Sequence, residues 1–173
     1  MIQLKSLKRK GLSNKDVLNI CKLKNEYWKY GVSSNLKWFK KNIKKNDIHN
    51  LLFFNNELIG YTLLRKRIAF IKKKSIIKKI NYFYFDTLVI KKIFRKKKYS
   101  NLIMRTNSKV IVKHKLHSFL ICSKKSVKYY RKFKWNLISK KKFKLMDHQS
   151  SKNGMIFNNK YKLKNIKFLY YID

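Results

Sequence analysis

The sequence predicts a single α/β domain, and three observations support this prediction. The chain has 173 residues, the size of one domain, so residues 1–173 are treated as one unit. Hydrophobic residues make up 45% and aromatic residues 15% of the chain, which suffices for a packed core and excludes a disordered protein. Segments with the periodicity of strands and of helices follow one another, which predicts both element types in one layered structure.

The chain begins with a predicted strand and a helix. The strand is expected over residues 2–7, with Ile2 facing inward. The helix is expected to begin after Ser13 or Asn14, because both residue types cap helices and apolar residues then recur at intervals of three and four. Gly31 is predicted to end it.

A second helix and a hairpin follow. Ser33 or Ser34 is expected to open the helix, on which lysines occupy the solvent side. Residues 48–54 and 58–70 are rich in apolar and β-branched side chains and predict two strands. The short Asn-rich segment 55–57 between them predicts a hairpin turn.

The second half of the chain predicts further strands and two more helices. Residues 81–90 are dense in aromatic and β-branched side chains and predict a strand, so the preceding stretch Lys72–Lys79 is interpreted as an exposed turn. A helix is expected from about Tyr99 to Lys115, and the apolar segment 117–122 predicts a buried strand. The remaining predictions are a helix over 126–133 and strands over 135–138, 155–157 and 168–172.

The formal net charge of +39 invites a nucleic-acid-binding interpretation, but the composition weakens it. Of the 46 basic residues, 40 are Lys, whereas phosphate and base recognition favours Arg. Lys, Asn, Ile, Phe and Tyr together number 99, and Gly, Ala and Pro together number 5. An A+T-rich genome produces this bias without selection for phosphate binding. We therefore expect no specific nucleic-acid partner.

The chain also lacks the patterns of several other protein classes. Cys21 and Cys122 lie far apart, neither belongs to a CxxC motif, and the four His have no zinc-ligand spacing, so two buried thiols and no metal are expected. The basic N-terminus has no apolar run after it, and no stretch approaches the roughly 20 apolar residues of a bilayer span. We expect a cytoplasmic protein with no membrane partner, as a monomer or homodimer.

One strand–turn–helix junction has the pattern of an anion-binding site. The predicted strand that ends at Ile90 is followed by a basic turn, residues 95–98, and by the helix that begins near Tyr99. Backbone N–H groups at a helix start lack intrahelical acceptors, and the helix dipole favours an anion there. The junction can therefore hold a pyrophosphate, although a lysine run at a turn is more often a solvated loop.

A second segment gives this junction a family context. The sequence YYRKFKW at residues 129–135 resembles, without a gap, the FYxKxGF-like segment of the GNAT-type acyl-CoA N-acyltransferase superfamily. That superfamily also carries a Q/R-x-x-G-x-G/A loop after its fourth strand, and RKKKYS at residues 95–100 occupies this place. Lys98, Ser100 and Lys134 stand where the family has glycine or another small residue, and glycine permits positive φ and close phosphate approach. The resemblance spans roughly residues 1–140 and is strongest over 48–140.

The resemblance implies a fold and a cofactor. The fold is a single mixed, mostly antiparallel central sheet flanked by helices. Acetyl-CoA is implied as acyl donor, lying between the strands that end at Ile90 and Cys122, with its pantetheine arm along the former strand. A backbone N–H near residues 88–90 is implied as the donor to the acyl oxygen. The implied coenzyme-binding residues are Leu88, Val89, Ile90, Arg95, Lys96, Lys97, Lys98, Tyr99 and Ser100.

The resemblance also implies catalytic roles. Tyr130 is implied as the general acid that protonates the departing thiolate, with a packing role as the alternative. Asp86 is the first candidate for the general base that takes the amine proton, because an acid in an otherwise apolar strand needs a partner or a cleft. His49, with an ordinary pKa of about 6.5, is the second candidate. A structural role is the alternative for both.

The acceptor is expected to be an amine of a small molecule. A faint resemblance over residues 24–52 to family members that act on surface-polysaccharide precursors suggests an amino sugar. The aromatic residues Trp28, Tyr30, Trp38 and Phe39 are implied to cover the acceptor side, with a core role as the alternative, favoured for at least Trp28 and Phe39. Two other hypotheses remain open. One is acetylation of a protein N-terminus or lysine, and the other is a basic nucleic-acid-binding module without catalysis.

Overall fold

The computed structural model describes residues 1–161 and 166–173, which contain nine strands and four α-helices. The strands are β1 (Ile2–Lys8), β2 (Ile48–Phe54), β3 (Glu57–Lys73), β4 (Ile76–Ile90), β5 (Ser118–Cys122), β6 (Asn136–Ile138), β7 (Phe143–Leu145), β8 (Asn153–Phe157) and β9 (Lys167–Tyr170). The helices are α1 (Asn14–Tyr27), α2 (Val32–Asn42), α3 (Tyr99–Lys113) and α4 (Lys124–Arg131). Short 3-10 helices cover Arg9–Gly11, Lys92–Phe94 and Lys140–Lys142. No helix among the described residues is both long and apolar enough to cross a membrane.

The described strands form one mixed, mostly antiparallel sheet, as predicted. The pairing order is β1-β2-β3-β4-β5-β8-β6, and β9 pairs with both β3 and β7. The pairs β4–β5 and β7–β9 are parallel, whereas β1–β2, β2–β3, β3–β9, β5–β8 and β6–β8 are antiparallel. The β4–β5 register joins Phe83 to Ser118 and Tyr84 to Phe119, and β4 continues beyond Tyr84 to Ile90.

The chain divides into two compact units. Unit 1 consists of Met1–Arg65 and Asp86–Val110, and unit 2 consists of Lys66–Phe85 and Ile111–Asp173. Strands β3 and β4 and helix α3 each contribute residues to both units. That the whole chain acts as one domain stays a prediction.

The core of unit 1 lies on both faces of its strands. Alternate residues of a strand point to opposite faces, so the neighbours Leu51 and Leu52 of β2 enter different clusters. Leu51 packs in the cluster that contains the apolar residues of α1 and α2. Leu52 packs in the cluster that contains Ile103 of α3. The strands of unit 1 are therefore covered by helices on both sides.

Local signals fix two features of unit 1. Ser13 is the N-cap of α1 and forms a capping box with Asp16, in which each side chain accepts a hydrogen bond from the other's backbone N–H. The turn between β2 and β3 has positive φ at both Asn55 (46°) and Asn56 (64°). Asn tolerates this conformation, and it is the one a two-residue hairpin turn requires, so the hairpin prediction is confirmed.

The core of unit 2 is rich in aromatic rings. His117 is buried among them, stacked on Tyr82 at a centroid distance of 5.6 Å, with its Nε2 atom 3.3 Å from the Tyr170 hydroxyl. Burial lowers the pKa of His117 to about 4. The ring is therefore neutral near pH 7.

Four details differ from the sequence predictions. Ile2 is 47% exposed, because β1 pairs only with β2 and covers little of the core. Gly31, at φ 87°, does not end α1 but is the N-cap of α2, so Ser33 and Ser34 lie inside this helix and neither opens it. The stretch 72–79 is mostly strand, because pairing extends β3 and β4 up to a tight turn with Lys74 at φ 53°. Strand β7 was not predicted, and it pairs with the sequence-distant β9.

Candidate functional site

Unit 1 contains a pocket of about 400 Å³, which we call the tryptophan pocket. It is bounded by α1, the segment that joins α1 to α2, α2 itself, and β4. Its lining residues are Lys24, Trp28, Tyr30, Ser34, Asn35, Trp38, Asp86 and Thr87. Trp28, Tyr30 and Trp38 were predicted to cover an acceptor site, and all three line this pocket. Phe39 does not, because it is a core residue with 1% exposure.

Asp86 is the only carboxylate among the residues that line the tryptophan pocket. Its side chain is 20% exposed, and Oδ2 accepts a hydrogen bond from Nη1 of Arg65 at 3.2 Å. The Thr87 hydroxyl donates a longer bond to Oδ1, at 3.4 Å. The ion pair with a buried Arg explains how an acid is accommodated in an apolar strand. Asp86 thus has both the partner and the cleft that its sequence position called for.

Lys24 brings a cation to the same pocket. It is 9% exposed, and its Nζ atom lies 3.9 Å from the ring centroid of Trp38 and 6.0 Å from that of Trp28. The ring faces attract the ammonium group. Burial lowers the pKa of Lys24 and the nearby carboxylate of Asp86 opposes this shift.

His49 lies in a closed environment. It is fully buried on β2, its Nδ1 atom is 2.8 Å from the Tyr61 hydroxyl, and its ring packs 5.5 Å from Phe39. Burial, with the positive charges of Arg9 and Lys24, lowers its pKa to about 3. The expectation of an ordinary pKa for His49 was therefore wrong. His49 is not among the residues that line the tryptophan pocket, whereas Asp86 is, so Asp86 is the better placed of the two candidate bases.

The basic loop before α3 adopts the backbone conformation for which glycine is usually required. Lys96 has φ 66° and Lys98 has φ 60°, both in the left-handed region. In unit 2, Lys134 has φ 63°. Lys98 and Lys134 are the positions at which the resembled family has glycine, so this chain keeps the conformation with a residue that adopts it at a cost.

The same loop leaves a row of backbone donors available. Within the described part of the chain, no acceptor binds the N–H groups of residues 96–100, and the first N–H groups that bond back are those of Asn101 and Leu102, both to the Lys98 carbonyl. The start of α3 is held in place because the Tyr99 ring packs on Phe94 and Phe54. Five free N–H groups at a helix start, among lysines, fit a diphosphate.

The loop follows directly from strand β4, which also carries Asp86. Ile90 and Val89 are buried, and Leu88 packs against the cluster that contains Ile90 and Ile103. Arg95 folds back on this strand, since its Nε donates to the Ile90 carbonyl at 3.0 Å and its guanidinium lies 5.3 Å from the Tyr27 ring centroid. Arg95 therefore anchors the loop as well as adding charge to it.

Tyr130 lies on α4 in unit 2. Its ring meets Phe85 edge-on at a centroid distance of 6.0 Å, Trp135 at 6.2 Å and Tyr129 at 5.4 Å. The ring therefore has a packing role, which leaves a further role for the hydroxyl open.

Sequence reasoning missed two charged residues of the site, Lys24 and Arg65. Both had a signal. Lys24 falls on the buried face of α1, four residues after Ile20 and three after Cys21, and Arg65 is two residues after the fully buried Leu63 of β3. Both cysteines are free and buried, as predicted. Within the described residues, no group of three or more His, Cys, Asp or Glu is placed to hold a metal ion.

The overall architecture is shared with several solved structures. The GNAT family N-acetyltransferase YhbS from Escherichia coli, crystallised with CoA, superposes with a TM-score of 0.70 at 8% identity, covering 100% of this chain and 89% of that chain. An acyl-CoA N-acyltransferase from Pseudomonas aeruginosa gives a TM-score of 0.65 at 10% identity, covering 90% and 99%. The N-acetyltransferase YlbP from Bacillus subtilis, in complex with coenzyme A, gives 0.54 at 14% identity, covering 91% and 96%.

Sequence comparison finds less than structural comparison. No protein-family model matches the chain, and no curated protein matches it. The likeness therefore lies in the arrangement of strands and helices, while most side chains differ. This protein has the fold of the GNAT-type acyl-CoA N-acyltransferases, as the resemblance of residues 95–100 and 129–135 predicts.

Proposed function

We propose that the protein is an N-acyltransferase that transfers an acetyl group from acetyl-CoA to the amine of a small acceptor bound in the tryptophan pocket. One observation carries this proposal. Within unit 1, strand β4 presents a carboxylate to a pocket at Asp86 and leads, after Ile90, into a loop whose N–H groups at residues 96–100 are free. A base and a diphosphate cradle thus lie on one continuous segment.

The coenzyme requires groups that this segment supplies. The N–H groups of residues 96–100 would bind the pyrophosphate, and the lysine side chains there would add positive charge. The backbone of Leu88, Val89 and Ile90 would pair with the pantetheine amides and offer an N–H to the acyl oxygen, where negative charge develops. Acetyl-CoA supplies the activated acyl group.

Two side chains would move protons. Asp86 would take the proton that the acceptor amine must lose to attack, and the ion pair with Arg65 orients its carboxylate. Tyr130 would protonate the thiolate that leaves, a role proposed on the resemblance of residues 129–135 alone. The acetyl group, an amino-sugar acceptor and the cytoplasmic location remain predictions within this proposal.

The proposal is tested by ligand titration. Calorimetry with acetyl-CoA and, separately, with a duplex oligonucleotide at about 0.15 M salt, a physiological ionic strength, compares the two ligand classes. We expect saturable binding of acetyl-CoA and no specific binding of the duplex. Turnover is then measured as the release of the CoA thiol from acetyl-CoA in the presence of a set of candidate amines. An absence of coenzyme binding would refute the proposal, and tight duplex binding would favour the nucleic-acid alternative.

A further inference from the structure

The tryptophan pocket is lined by two charged groups of opposite sign, the Asp86 carboxylate and the Lys24 ammonium, and they differ in their hydrogen-bond partners. Asp86 is already paired, since Arg65 donates to its Oδ2 atom. The Lys24 ammonium makes no hydrogen bond or salt bridge with the described residues, and Nζ is not among the fully buried atoms, so water in the pocket can reach it. Its Nζ atom lies 3.9 Å from the ring centroid of Trp38 and 6.0 Å from that of Trp28, with the Asp86 carboxylate nearby.

An ammonium group in this state favours an anionic ligand. It carries three N–H donors, and a tryptophan face attracts the charge without accepting conventional hydrogen bonds from them. A cation removed from water is costly unless it is both paired and hydrogen-bonded. Lys24 is 9% exposed and lines the pocket, so an anionic group bound there can take the place of water and accept hydrogen bonds from Nζ.

The net charge of the whole chain also favours a ligand with an anionic group. With a net charge of +39, the protein repels polycationic amines and attracts molecules that carry a negative group. The pocket itself has the cations Lys24 and, behind Asp86, Arg65. A polyamine would be repelled by the net charge of the chain and by the cations of the pocket. An amine that also carries an anionic group would be attracted by both.

We infer that the acceptor is a small amine that bears an anionic group, a carboxylate or a phosphate, and that Lys24 binds this group while Asp86 receives the amine. The inference rests on the proposed function and specifies the substrate class of that same site. Lys24 is accordingly a specificity-determining residue. The aromatic walls add an apolar contact for the part of the acceptor between its two charged ends.

The test uses amine pairs that differ only in the anion. Phenylalanine is compared with phenethylamine, and glucosamine 6-phosphate with glucosamine, so that the two pairs distinguish a carboxylate from a phosphate. Binding is measured by calorimetry, and turnover by thiol release with acetyl-CoA. We expect the anionic member of one pair to have a kcat/KM higher by roughly 10- to 100-fold, the value of a hydrogen-bonded charge pair.

Substitutions at Lys24 decide whether this residue causes the preference. Lys24→Met keeps the length and apolar stem without the charge, so we expect it to bring the two members of the pair to parity. Lys24→Arg should retain the preference, and Lys22→Met, which removes an exposed lysine from the same helix, should leave it unchanged. Thermal denaturation shows whether each variant is folded, independently of coenzyme binding.

Two results would overturn the inference: equal binding and turnover within both pairs, or a preference that survives in Lys24→Met. Failure of the proposed function is distinguishable from both. If anionic amines bind in a Lys24-dependent way but no thiol is released, the site chemistry stands and the transferase assignment falls.

Discussion

The Oδ2 atom of Asp86 lies 3.2 Å from Nη1 of Arg65, and this pair joins strands β3 and β4 of unit 1 at the wall of a pocket. Arg65 is 4% exposed at its side chain and Asp86 is 20% exposed. The arginine thus supports the carboxylate from the protein side and leaves it accessible from the pocket side. That asymmetry is what a base acting on a bound amine requires.

Replacing the carboxylate tests this role. We expect Asp86→Asn to lower kcat by about 10²–10⁴-fold, the usual contribution of general base catalysis, with little change in the affinity for acetyl-CoA. The pH–rate profile should lose the fall in rate at low pH that reports protonation of a base. The control Glu57→Gln alters an exposed carboxylate in unit 1 that pairs with Lys91, and it should leave the rate unchanged. An unaltered profile in Asp86→Asn would remove Asp86 from the mechanism.

Tyr130 is tested by removal of its hydroxyl alone. Tyr130→Phe keeps the ring contacts with Phe85 and Trp135, so the fold and the coenzyme affinity should persist while kcat falls. The matched control is Tyr129→Phe on the same helix, which should keep normal turnover. Single-turnover thiol release with calorimetric affinities separates the two effects. If Tyr130→Phe has the same kcat as the control Tyr129→Phe, Tyr130 has a packing role only.

The positive φ of Lys98, in the loop before α3, predicts how stability changes when this residue is replaced. Lys98→Gly should raise the unfolding free energy by about 1 kcal/mol, because glycine adopts φ 60° without the clash of a Cβ atom. For a chain of this size that corresponds to a rise in Tm of roughly 2–4 °C. Lys97→Gly removes the same charge at a residue outside the left-handed region, so it should lower the Tm.

Coenzyme affinity gives a second measurement on the same loop. Lys98→Gly keeps the geometry of the N–H row and loses one positive charge, so it should bind acetyl-CoA at least as tightly as Lys97→Gly, which loses the same charge. Lys98→Val should bind it more weakly, because a β-branched residue does not tolerate this conformation. Unchanged affinity in Lys98→Val would show that the loop backbone does not hold the coenzyme.

Two buried histidines predict acid sensitivity. The pKa of His49 is lowered to about 3 and that of His117 to about 4, from an ordinary value of 6.5. The unfolded chain therefore binds protons that the folded chain does not, and stability is fully present above pH 6.5 and falls progressively toward pH 3–4. Thermal denaturation between pH 7 and pH 4 should show this decline.

A variant separates His117 from other acid effects. His117→Phe keeps the aromatic packing on Tyr82 without a titrating group, so its Tm should depend less on pH. His148→Phe changes an exposed residue and should keep the original dependence. If the His117→Phe curve runs parallel to that of the unmodified protein, burial of this ring does not govern acid stability.

Sequence patterns predicted the elements better than their ends. The helices and the strands of the hairpin follow from local periodicity and caps, such as Ser13 and the Asn55–Asn56 turn, which act within a few residues. The extension of β3 and β4 through residues 72–79 was missed because cross-strand pairing outweighs the weak preference of lysine. Strand β7 exists through pairing with the distant β9, which no local pattern reveals.

In the candidate site, too, features set by local sequence were predicted and features set by distant packing were not. Asp86 and the loop at residues 95–100 were predictable, because an acid in an apolar strand and a basic strand–helix junction are local patterns. The contact of Lys24 with Trp38 and the ion pair of Arg65 with Asp86 depend on packing between elements distant in sequence. In a chain with 40 lysines, a single functional lysine cannot be recognised by its residue type.

The backbone conformation of the lysines has a practical consequence for protein engineering. The described residues at positive φ include Lys74, Lys96, Lys98, Lys115 and Lys134. Each of these positions has a backbone conformation that glycine adopts without strain, and at about 1 kcal/mol apiece several such replacements would combine into a heat-resistant form of the protein. All five lysines are exposed, so thermal stability can be raised at the surface of the chain without any change in its packed core.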